Sequence, residues 1–371
     1  MKRRVVSFAW GRGLGHVSRL VAVHTELRAL GWDSLLLTER HQRLIEDYGF
    51  PQTIVPTDAD SLVGEPLHGT GPAVDHGFVR TLVAGALRAD DVVLHDVTVQ
   101  RELYHQATRL DCRQFLIHRF QRNRPDPAAW VARHTPAIGK VYLLGEEGRA
   151  ESAHGVHLVG VPHVVRHLLG HRSPWPAETP AMKIAVVAGG GGHADAPGFL
   201  TAALHGIREY AHHHAPDGVD VLVLTGPHFD GAVGIPPGIP GPVRVTPYLG
   251  PTYDIYRHAT AAITHAGYNT VQELARSRVP TVAVPGIRDF DDQRVHLRAA
   301  ATRINVAVTD ADGQAIARAL TDVVRSLPPT VRGAGGAASP EADGAARLAR
   351  DLTRSTPNSS HVEDLHAFHS E

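Results

Sequence analysis

The sequence predicts an α/β protein built from two doubly wound halves with a cleft between them. Apolar runs that are rich in β-branched residues alternate with helical patterns along most of the 371 residues. This alternation is typical of parallel sheets that are covered by helices on both faces. It is interrupted by a proline-rich stretch at 162–182 and then begins again. Each half opens with a strand that leads directly into a glycine loop.

The first half opens on a strand–helix–strand pattern. Residues 4–9 predict a strand, and the apolar residues from Val17 to Leu30 recur at the spacing of a helix that Gly31 ends. A second strand is predicted at 34–38. Further strands of this half are predicted at 53–55, 91–95, 114–117, 140–144 and 157–159.

The second half repeats the arrangement. A strand is predicted at 183–188, a glycine loop at 189–192 and a helix at 199–210. Further strands are predicted at 219–225, 243–246, 261–264 and 281–284, and a last helix at 341–354. We therefore expect an N-terminal domain (1–162), a linker (163–182), a C-terminal domain (183–340), and a helix with a tail (341–371) for which packing back on the N-terminal domain is one option.

Composition excludes several classes of protein. The net charge of -1 argues against a general binder of nucleic acid or of membrane surfaces. A single cysteine, Cys112, excludes an internal disulfide framework and a cysteine-rich zinc site. With 26 histidines, chance clusters are expected, and we interpret His163, His167 and His171 as a solvated face of the linker. Without a visible export signal or membrane span, we expect a cytoplasmic protein, as a monomer or a homodimer.

The first glycine loop contains Gly11, Gly13 and Gly15, followed by His16. Glycines let the backbone approach a ligand closely, and a helix start offers N–H groups to an anion. The spacing fits neither the dinucleotide fingerprint nor the phosphate loop of NTPases. Together with the second loop, which contains Gly190, it points to a cleft between the halves. A tight turn that needs only small residues remains an open alternative.

A polar turn of small residues leads from the strand at 261–264 into a helix. Gly267 allows close backbone approach to a phosphate, and Asn269 and Thr270 lie at the positive end of the helix dipole, which suits a diphosphate. Glu273 follows Thr270 at the spacing of a capping box, so its alternative role is to cap the helix. About twenty residues later, Asp292 and Gln293 offer a carboxylate and an amide that suit sugar hydroxyls.

These residues resemble a known family. The string H-x-G-x-N-T-x-x-E from His265 to Glu273, the V-P-x-x-x-V-P segment at 279–285 and the D-Q pair resemble the donor-site motif of GT-B nucleotide-sugar glycosyltransferases. The similarity is greatest to the peptidoglycan N-acetylglucosaminyltransferase type and to antibiotic-decorating transferases. Gly13-x-Gly15-His16-x-x-Arg19 resembles the N-terminal loop of the same group. The resemblance implies two Rossmann-like domains that face a central cleft.

The resemblance also implies roles for single residues. His265 would face the α-phosphate of a UDP- or dTDP-linked sugar, and the backbone of 245–249 would read the base, with Tyr248 packing against it. By the same resemblance, the diphosphate would be held by Gly267, Asn269 and Thr270. The ribose would be bound by Glu273, and the donor sugar by Asp292 and Gln293. The family uses neither a metal nor another cofactor, so we expect none here.

A candidate catalytic pair lies in the first half. His16 lies at the head of the first helix, and histidine is the side chain most often used for proton abstraction at neutral pH. Asp96 ends a predicted strand, where relatives carry an acid that orients such a histidine. We expect Asp96 to fix the tautomer of His16, which removes the proton from the acceptor. A loop histidine that binds phosphate or water, and a turn-capping role for Asp96, remain open alternatives.

The leading functional hypothesis is an inverting glycosyltransferase that moves a sugar to a hydroxyl or amine of a small, natural-product-like acceptor, as in antibiotic biosynthesis. The long loop at 58–79 is expected to shape acceptor choice. One alternative is a sugar-nucleotide 2-epimerase of the same fold, although that reaction needs several acids at the sugar and only Asp292 is a clear candidate. Another is a non-catalytic GT-B partner that binds nucleotide.

Overall fold

The structure is a computed structural model of the chain that describes residues 2–10, 14–64, 73–121, 124–165, 172–176, 181–250, 255–286, 292–301, 303–326 and 344–356. The strands are β1 Arg4–Ala9, β2 Asp33–Thr38, β3 Gln52–Ile54, β4 Val92–Asp96, β5 Arg113–His118, β6 Ile138–Leu144, β7 Ala150–Ala153, β8 Val156–Val161, β9 Met182–Val187, β10 Val219–Leu224, β11 Val243–Thr246, β12 Ala261–Thr264, β13 Thr281–Ala283 and β14 Val306–Val308.

The helices are α1 Leu14–Ala29, α2 Arg43–Asp47, α3 His76–Ala86, α4 Arg101–Arg109, α5 Pro127–His134, α6 Ala196–His214, α7 Ile255–His258, α8 Tyr268–Ser277, α9 Gln293–Ala300, α10 Gly313–Arg325 and α11 Gly344–Ser355. A single 3₁₀ turn covers Ala59–Ser61. No helix among the described residues combines the length and the apolar character that crossing a membrane requires.

The strands form two sheets, one in each half. The N-terminal sheet has eight strands in the order β3-β2-β1-β4-β5-β6-β8-β7, and the C-terminal sheet has six in the order β11-β10-β9-β12-β13-β14. In both sheets the chain starts near the middle, builds outwards to one side and then crosses to the other. Two doubly wound α/β units result, which confirms the predicted fold class.

Two strands, β7 and β14, were not predicted from the sequence. β7 pairs antiparallel with β8 at the sheet edge, although a wholly parallel sheet was expected. Its residues are largely exposed, so the segment has no apolar run that predicts a strand. β14 has three residues and pairs in parallel with β13 at one edge of the C-terminal sheet.

Both sheets are covered on two faces. Successive side chains of a strand point to opposite faces, and Val5 and Val6 of β1 accordingly belong to two different apolar clusters. Ile184 and Ala185 of β9 divide in the same way. This explains why the central strands are continuous apolar runs rather than alternating ones.

The segments outside the sheets are anchored to them. Trp175 of the proline-rich stretch is 3% exposed, and its indole Nε1 donates to the carbonyl of Asp220. Leu348 and Leu352 of α11 pack in the same cluster as α1, so this helix lies on the N-terminal sheet's helical layer. Of the three histidines interpreted as a solvated linker face, His167 and His171 lie outside the described residues, as does the tail beyond 356, whereas His163 is partly buried against Tyr268.

Candidate active site

The candidate site lies at the two positions where strand order reverses. In each sheet, ligands bind beside the carboxyl ends of the strands that flank such a switch point. In the N-terminal sheet these strands are β1 and β4, which place His16 and Asp96 side by side. In the C-terminal sheet they are β9 and β12, which are followed by the glycine loop at 189–192 and by His265.

The structure brings His16 and Asp96 into direct contact. Nδ1 of His16 lies 2.9 Å from Oδ2 of Asp96 and 3.0 Å from the Asp96 carbonyl oxygen. Because both of these atoms only accept hydrogen bonds, Nδ1 carries the proton, and the lone pair of the neutral ring is on Nε2. The His16 side chain is 15% exposed, whereas Asp96 is fully buried. The arrangement therefore presents a basic nitrogen beside a buried carboxylate.

Arg19, one turn along α1 from His16, is the second partner of Asp96. Its Nε donates to Oδ1 at 2.9 Å and its Nη2 to Oδ2 at 2.8 Å. Burial alone would raise the pKa of Asp96, but the charges of Arg19 and His16 outweigh burial and lower it to about 2. Asp96 is therefore a carboxylate at every physiological pH. The sequence motif contained Arg19, but its spacing gave no sign of this partner.

The backbone at the end of β4 is strained. Val97 has φ 62, a left-handed conformation that β-branched residues rarely adopt. Its N–H donates to the carbonyl of Ile117, and its own carbonyl accepts from Nη1 of Arg124. These bonds hold the turn that presents Asp96 to α1. Arg124 itself is buried, with its guanidinium over the ring of Trp130.

The N-terminus of α8 differs from the capping-box expectation. Gly267 occupies the N-cap position with φ -61 and ψ 144, and no side chain caps the helix. Thr270 therefore lies inside the first turn, and the capping box with Glu273 is wrong because the helix begins three residues earlier than that pattern requires. A Cβ on Gly267 would meet only Thr270 Oγ1, at 3.9 Å, so packing within the protein does not demand a glycine here.

Asn269 contacts the other domain. Its Nδ2 donates to the carbonyl of Gly15 at 2.8 Å, and its Oδ1 accepts from Nη1 of Arg19 at 2.9 Å. The first turns of α1 and α8 therefore lie against each other, each with its positive end at the junction of the domains. Gly13 of the first glycine loop lies outside the described residues.

His265 is held firmly within the C-terminal domain. Its ring is 4% exposed and stacks on Phe199 with centroids 4.1 Å apart. Nδ1 lies 2.9 Å from the carbonyl oxygen of Val284, so it carries a proton, and Nε2 lies 3.9 Å from Oδ1 of Asp195. The ring edge with Nε2 is thus directed towards the start of α6, beside the glycine loop.

The second glycine loop is a tight backbone structure. Gly189 and Gly191 have φ values of 68 and 78, which favour glycine, whereas Gly190 has no such conformation. The carbonyl of Gly190 accepts from the backbone N–H of His228. A Cβ on Gly226 would lie 2.3 Å from the carbonyl carbon of Gly190, so the two segments are in backbone contact.

Asp292 and Gln293 begin α9, and both make local hydrogen bonds. The Asp292 carboxylate accepts from the backbone N–H groups of Arg294 and Val295, as an N-cap does. Oε1 of Gln293 accepts from the N–H of Gly286, and Gln293 is 4% exposed. Asp292 therefore caps α9, and Gln293 holds the backbone at Gly286. The sugar contact that the resemblance implies would be an additional role for both.

Tyr248 reaches the N-terminal domain. Its hydroxyl donates to Oδ2 of Asp47 at 2.7 Å, and Arg43 lies over its ring. The ring packs against the apolar cluster that contains α1. It follows β11 as predicted, and its side chain contacts α2 of the N-terminal domain.

Tyr268, the first residue of α8, was missed by sequence reasoning. Its hydroxyl lies 2.6 Å from Nδ1 of His163, and the guanidinium groups of Arg19 and Arg119 lie over its ring. Burial raises the pKa of the Tyr268 phenol. The signal available was a large aromatic residue in a turn that otherwise contains small ones. Among the described residues, no group of three or more acidic, histidine or cysteine side chains converges as a metal site would require.

Comparison with known proteins finds likenesses to glycosyltransferases. Residues 219–346 match the description "Glycosyltransferase family 28 C-terminal domain". A comparison with curated proteins gives no significant match. Among solved structures, the spinosyn forosaminyltransferase superposes with a TM-score of 0.57 at 14% identity over 99% of this chain and 100% of that one. MurG of Acinetobacter baumannii superposes with a TM-score of 0.52 at 16% identity over 96% and 100%.

A third similar structure contains a nucleotide. It is a Streptomyces glycosyltransferase in complex with thymidine diphosphate, with a TM-score of 0.54 at 16% identity over 94% of this chain and 95% of that one. At such identities the structural likeness shows the fold alone. The glycosyltransferase resemblance seen in the sequence is thus confirmed: the chain has the GT-B fold, and its residues 219–346 match the glycosyltransferase family 28 C-terminal domain.

Proposed function

We propose that the protein transfers a sugar, with inversion, from a nucleoside-diphosphate sugar to a hydroxyl or amine of a small acceptor. The observation that carries this proposal is the placement of the His16–Asp96 pair directly across the domain junction from the N-terminus of α8. One side supplies a base, and the other supplies an anion site inside a glycosyltransferase family 28 domain.

The base is Nε2 of His16. Asp96 holds the proton on Nδ1, so Nε2 accepts the proton of the attacking hydroxyl or amine. The acceptor atom then bonds to the anomeric carbon, and the bond from that carbon to the diphosphate oxygen breaks. The buried Asp96 stabilises the imidazolium that forms, as the orienting acid does in other His–Asp pairs.

The leaving group is a nucleoside diphosphate. The backbone N–H groups at the start of α8 and the helix dipole oppose its developing charge, and Gly267 leaves room for the phosphate. His265 and Thr270 stand on the same edge of the C-terminal sheet. Glu273, half-buried on the next turn of α8, is placed for the ribose hydroxyls that the resemblance implies.

The nucleotide is uridine or thymidine diphosphate in this proposal, and a thermal-shift screen tests it. A ligand that binds the folded protein raises the melting temperature by mass action. We expect UDP or dTDP to raise it and GDP to have a smaller effect. A screen in which none of these nucleotides raises the melting temperature would contradict the proposal.

A further inference from the structure

We propose that Arg19 is a positioning residue that makes the orientation of the His16–Asp96 pair depend on the docking of α8 of the other domain. This inference rests on the proposed function. It starts from a single guanidinium group that has three hydrogen bonds on two domains: two to Asp96 and one to Asn269.

All three nitrogens of the Arg19 guanidinium donate hydrogen bonds in this arrangement. Nε and Nη2 form a parallel pair of bonds with the two oxygens of Asp96, which fixes the carboxylate plane. Nη1 points to Oδ1 of Asn269 at 2.9 Å. Arg19 is 2% exposed, so solvent does not weaken these bonds. A lysine cannot form this arrangement, because its ammonium group is a point donor rather than a planar fork.

Asn269 completes the connection. While its Oδ1 accepts from Arg19, its Nδ2 donates to the carbonyl of Gly15, the residue before His16. The first turn of α8 is therefore bonded both to the helix turn that carries His16 and to the clamp on Asp96. Tyr268, next to Asn269, adds its ring beneath the Arg19 guanidinium.

The consequence is a coupling between domain docking and base orientation. When α8 is docked, Arg19 is fixed from both sides, and Asp96 aligns the proton on His16 Nδ1. When α8 moves away, Arg19 loses its third bond, and the Gly15 carbonyl loses its donor. In this proposal Asn269 acts between the domains rather than on the diphosphate, which is the contact that the resemblance implies.

A double-mutant cycle tests the proposal. Asn269→Ala keeps the Arg19–Asp96 pair and removes only the interdomain bonds, so it should fold. With a saturating sugar nucleotide we expect kcat to fall roughly tenfold, as the loss of a buried hydrogen bond to a charged group produces. In an Arg19→Lys background the same change should lower kcat by a clearly smaller factor, because the bond from Arg19 is already absent and only the bond to Gly15 is lost. The affinity for the nucleoside diphosphate, measured by calorimetry, should be similar in wild type and Asn269→Ala.

The opposite pattern would overturn the proposal. If Asn269 acts only on the diphosphate, Asn269→Ala weakens nucleotide affinity and lowers kcat by the same factor in both backgrounds. If no sugar nucleotide supports transfer at all, the proposed function fails, but the docking contact is still tested by melting temperature. Asn269→Ala should then lower the melting temperature more in wild type than with Arg19→Lys, where only the bond to Gly15 remains to be lost; equal shifts in both would refute the contact.

The chain contains a matched control for the ion pair itself. Arg4 binds Asp91 with the same bidentate geometry, at 2.8 and 2.6 Å, and Asp91 is 2% exposed. This pair lies near the start of β1 and β4, at the opposite edge of the sheet from His16. Arg4→Lys should lower stability but leave kcat unchanged, whereas Arg19→Lys should lower kcat. Equal losses of kcat in both variants would mean that Arg19 acts only through stability.

Discussion

Nδ1 of His16 lies 2.9 Å from Oδ2 of Asp96, although 80 residues separate the two in the chain. The fold creates this contact because β1, which leads to the helix of His16, and β4, which ends at Asp96, are neighbours in the sheet. One residue belongs to a helix start and the other to a strand end, so each is fixed by backbone structure. The contact orients the ring of His16, which the proposed function uses as its base.

Replacing His16 should separate chemistry from binding. We expect His16→Gln to lower kcat about a hundredfold or more, because a positioned general base contributes that much to catalysis. Nucleotide affinity should be unchanged, since the diphosphate site is in the other domain. Kinetics with saturating donor and calorimetry with the nucleotide measure the two quantities. A variant that keeps its turnover would show that His16 is not the base.

Asp96→Asn tests the orienting acid. An asparagine can donate to His16 Nδ1 and so stabilise the wrong tautomer, and we expect turnover to fall by about a hundredfold or more. The change also leaves the buried Arg19 charge without its carboxylate, which should cost a few kcal/mol of stability. Circular dichroism at the assay temperature must therefore confirm folding. A folded Asp96→Asn variant with normal kcat would contradict the assignment.

Gly267→Ala distinguishes a phosphate site from a simple helix start. The backbone angles of Gly267 suit alanine, and the added Cβ meets no atom closer than 3.9 Å. Unfolding free energy should therefore change by less than about 1 kcal/mol. If a diphosphate lies against this backbone, nucleotide affinity should fall roughly tenfold or more.

The control for Gly267 is Gly198→Ala in α6, where a Cβ also has open space. This variant should keep both stability and nucleotide affinity. Gly267→Ala with wild-type affinity would place the phosphates elsewhere.

The contact between Tyr248 and Asp47 should contribute to stability across the domain junction. Tyr248→Phe keeps the ring and removes one hydrogen bond, for which we expect a loss of about 0.5–1.5 kcal/mol in unfolding free energy. Asp47→Ala should cost a similar amount, and the double variant should be no less stable than the worse single one. Additive losses, measured by urea denaturation, would mean that the two side chains act separately.

Buried histidines should make the fold sensitive to acid. Burial lowers the pKa of His24 to about 3, and burial also lowers that of His95 to about 4, against its hydrogen bond with Gln114. Below the ordinary histidine pKa, the unfolded chain therefore binds protons that the folded chain does not. Unfolding free energy should fall as pH drops from about 6.5 towards 4, by up to about 1.4 kcal/mol per pH unit for each group.

Denaturation at several pH values measures this slope. His24→Gln should reduce it, because glutamine does not titrate and can keep the bond to Ser7. If the unfolding free energy of His24→Gln depends on pH as steeply as that of the wild type, His24 is not a source of the acid sensitivity.

Much of the fold was predictable, because buried strands are apolar runs and glycine loops mark their ends. β1 was predicted with its observed bounds, and β9 was predicted to within one residue at each end. β7 was not predictable, because its pairing depends on β8 rather than on its own residues. The start of α8 was misjudged, since a capping pattern ignores the tertiary contacts that let the helix begin at Tyr268.

The candidate site was predictable in its residues but not in its connections. Motif spacing pointed to His16, Asp96 and Asn269 separately. It did not reveal that Arg19 connects the last two, because that contact spans 250 residues along the chain. Tyr248 shows the same limit: its position after β11 was predicted, but its partner on α2 was not.

The central claim is that a diphosphate binds at the N-terminus of α8, opposite His16. A crystal structure of the protein with UDP or dTDP tests it most directly. We expect phosphate oxygens within hydrogen-bond distance of the backbone N–H groups at the start of α8, with the β-phosphate directed towards the His16 side of the junction. A nucleotide bound with its phosphates away from both α8 and His16 would contradict it.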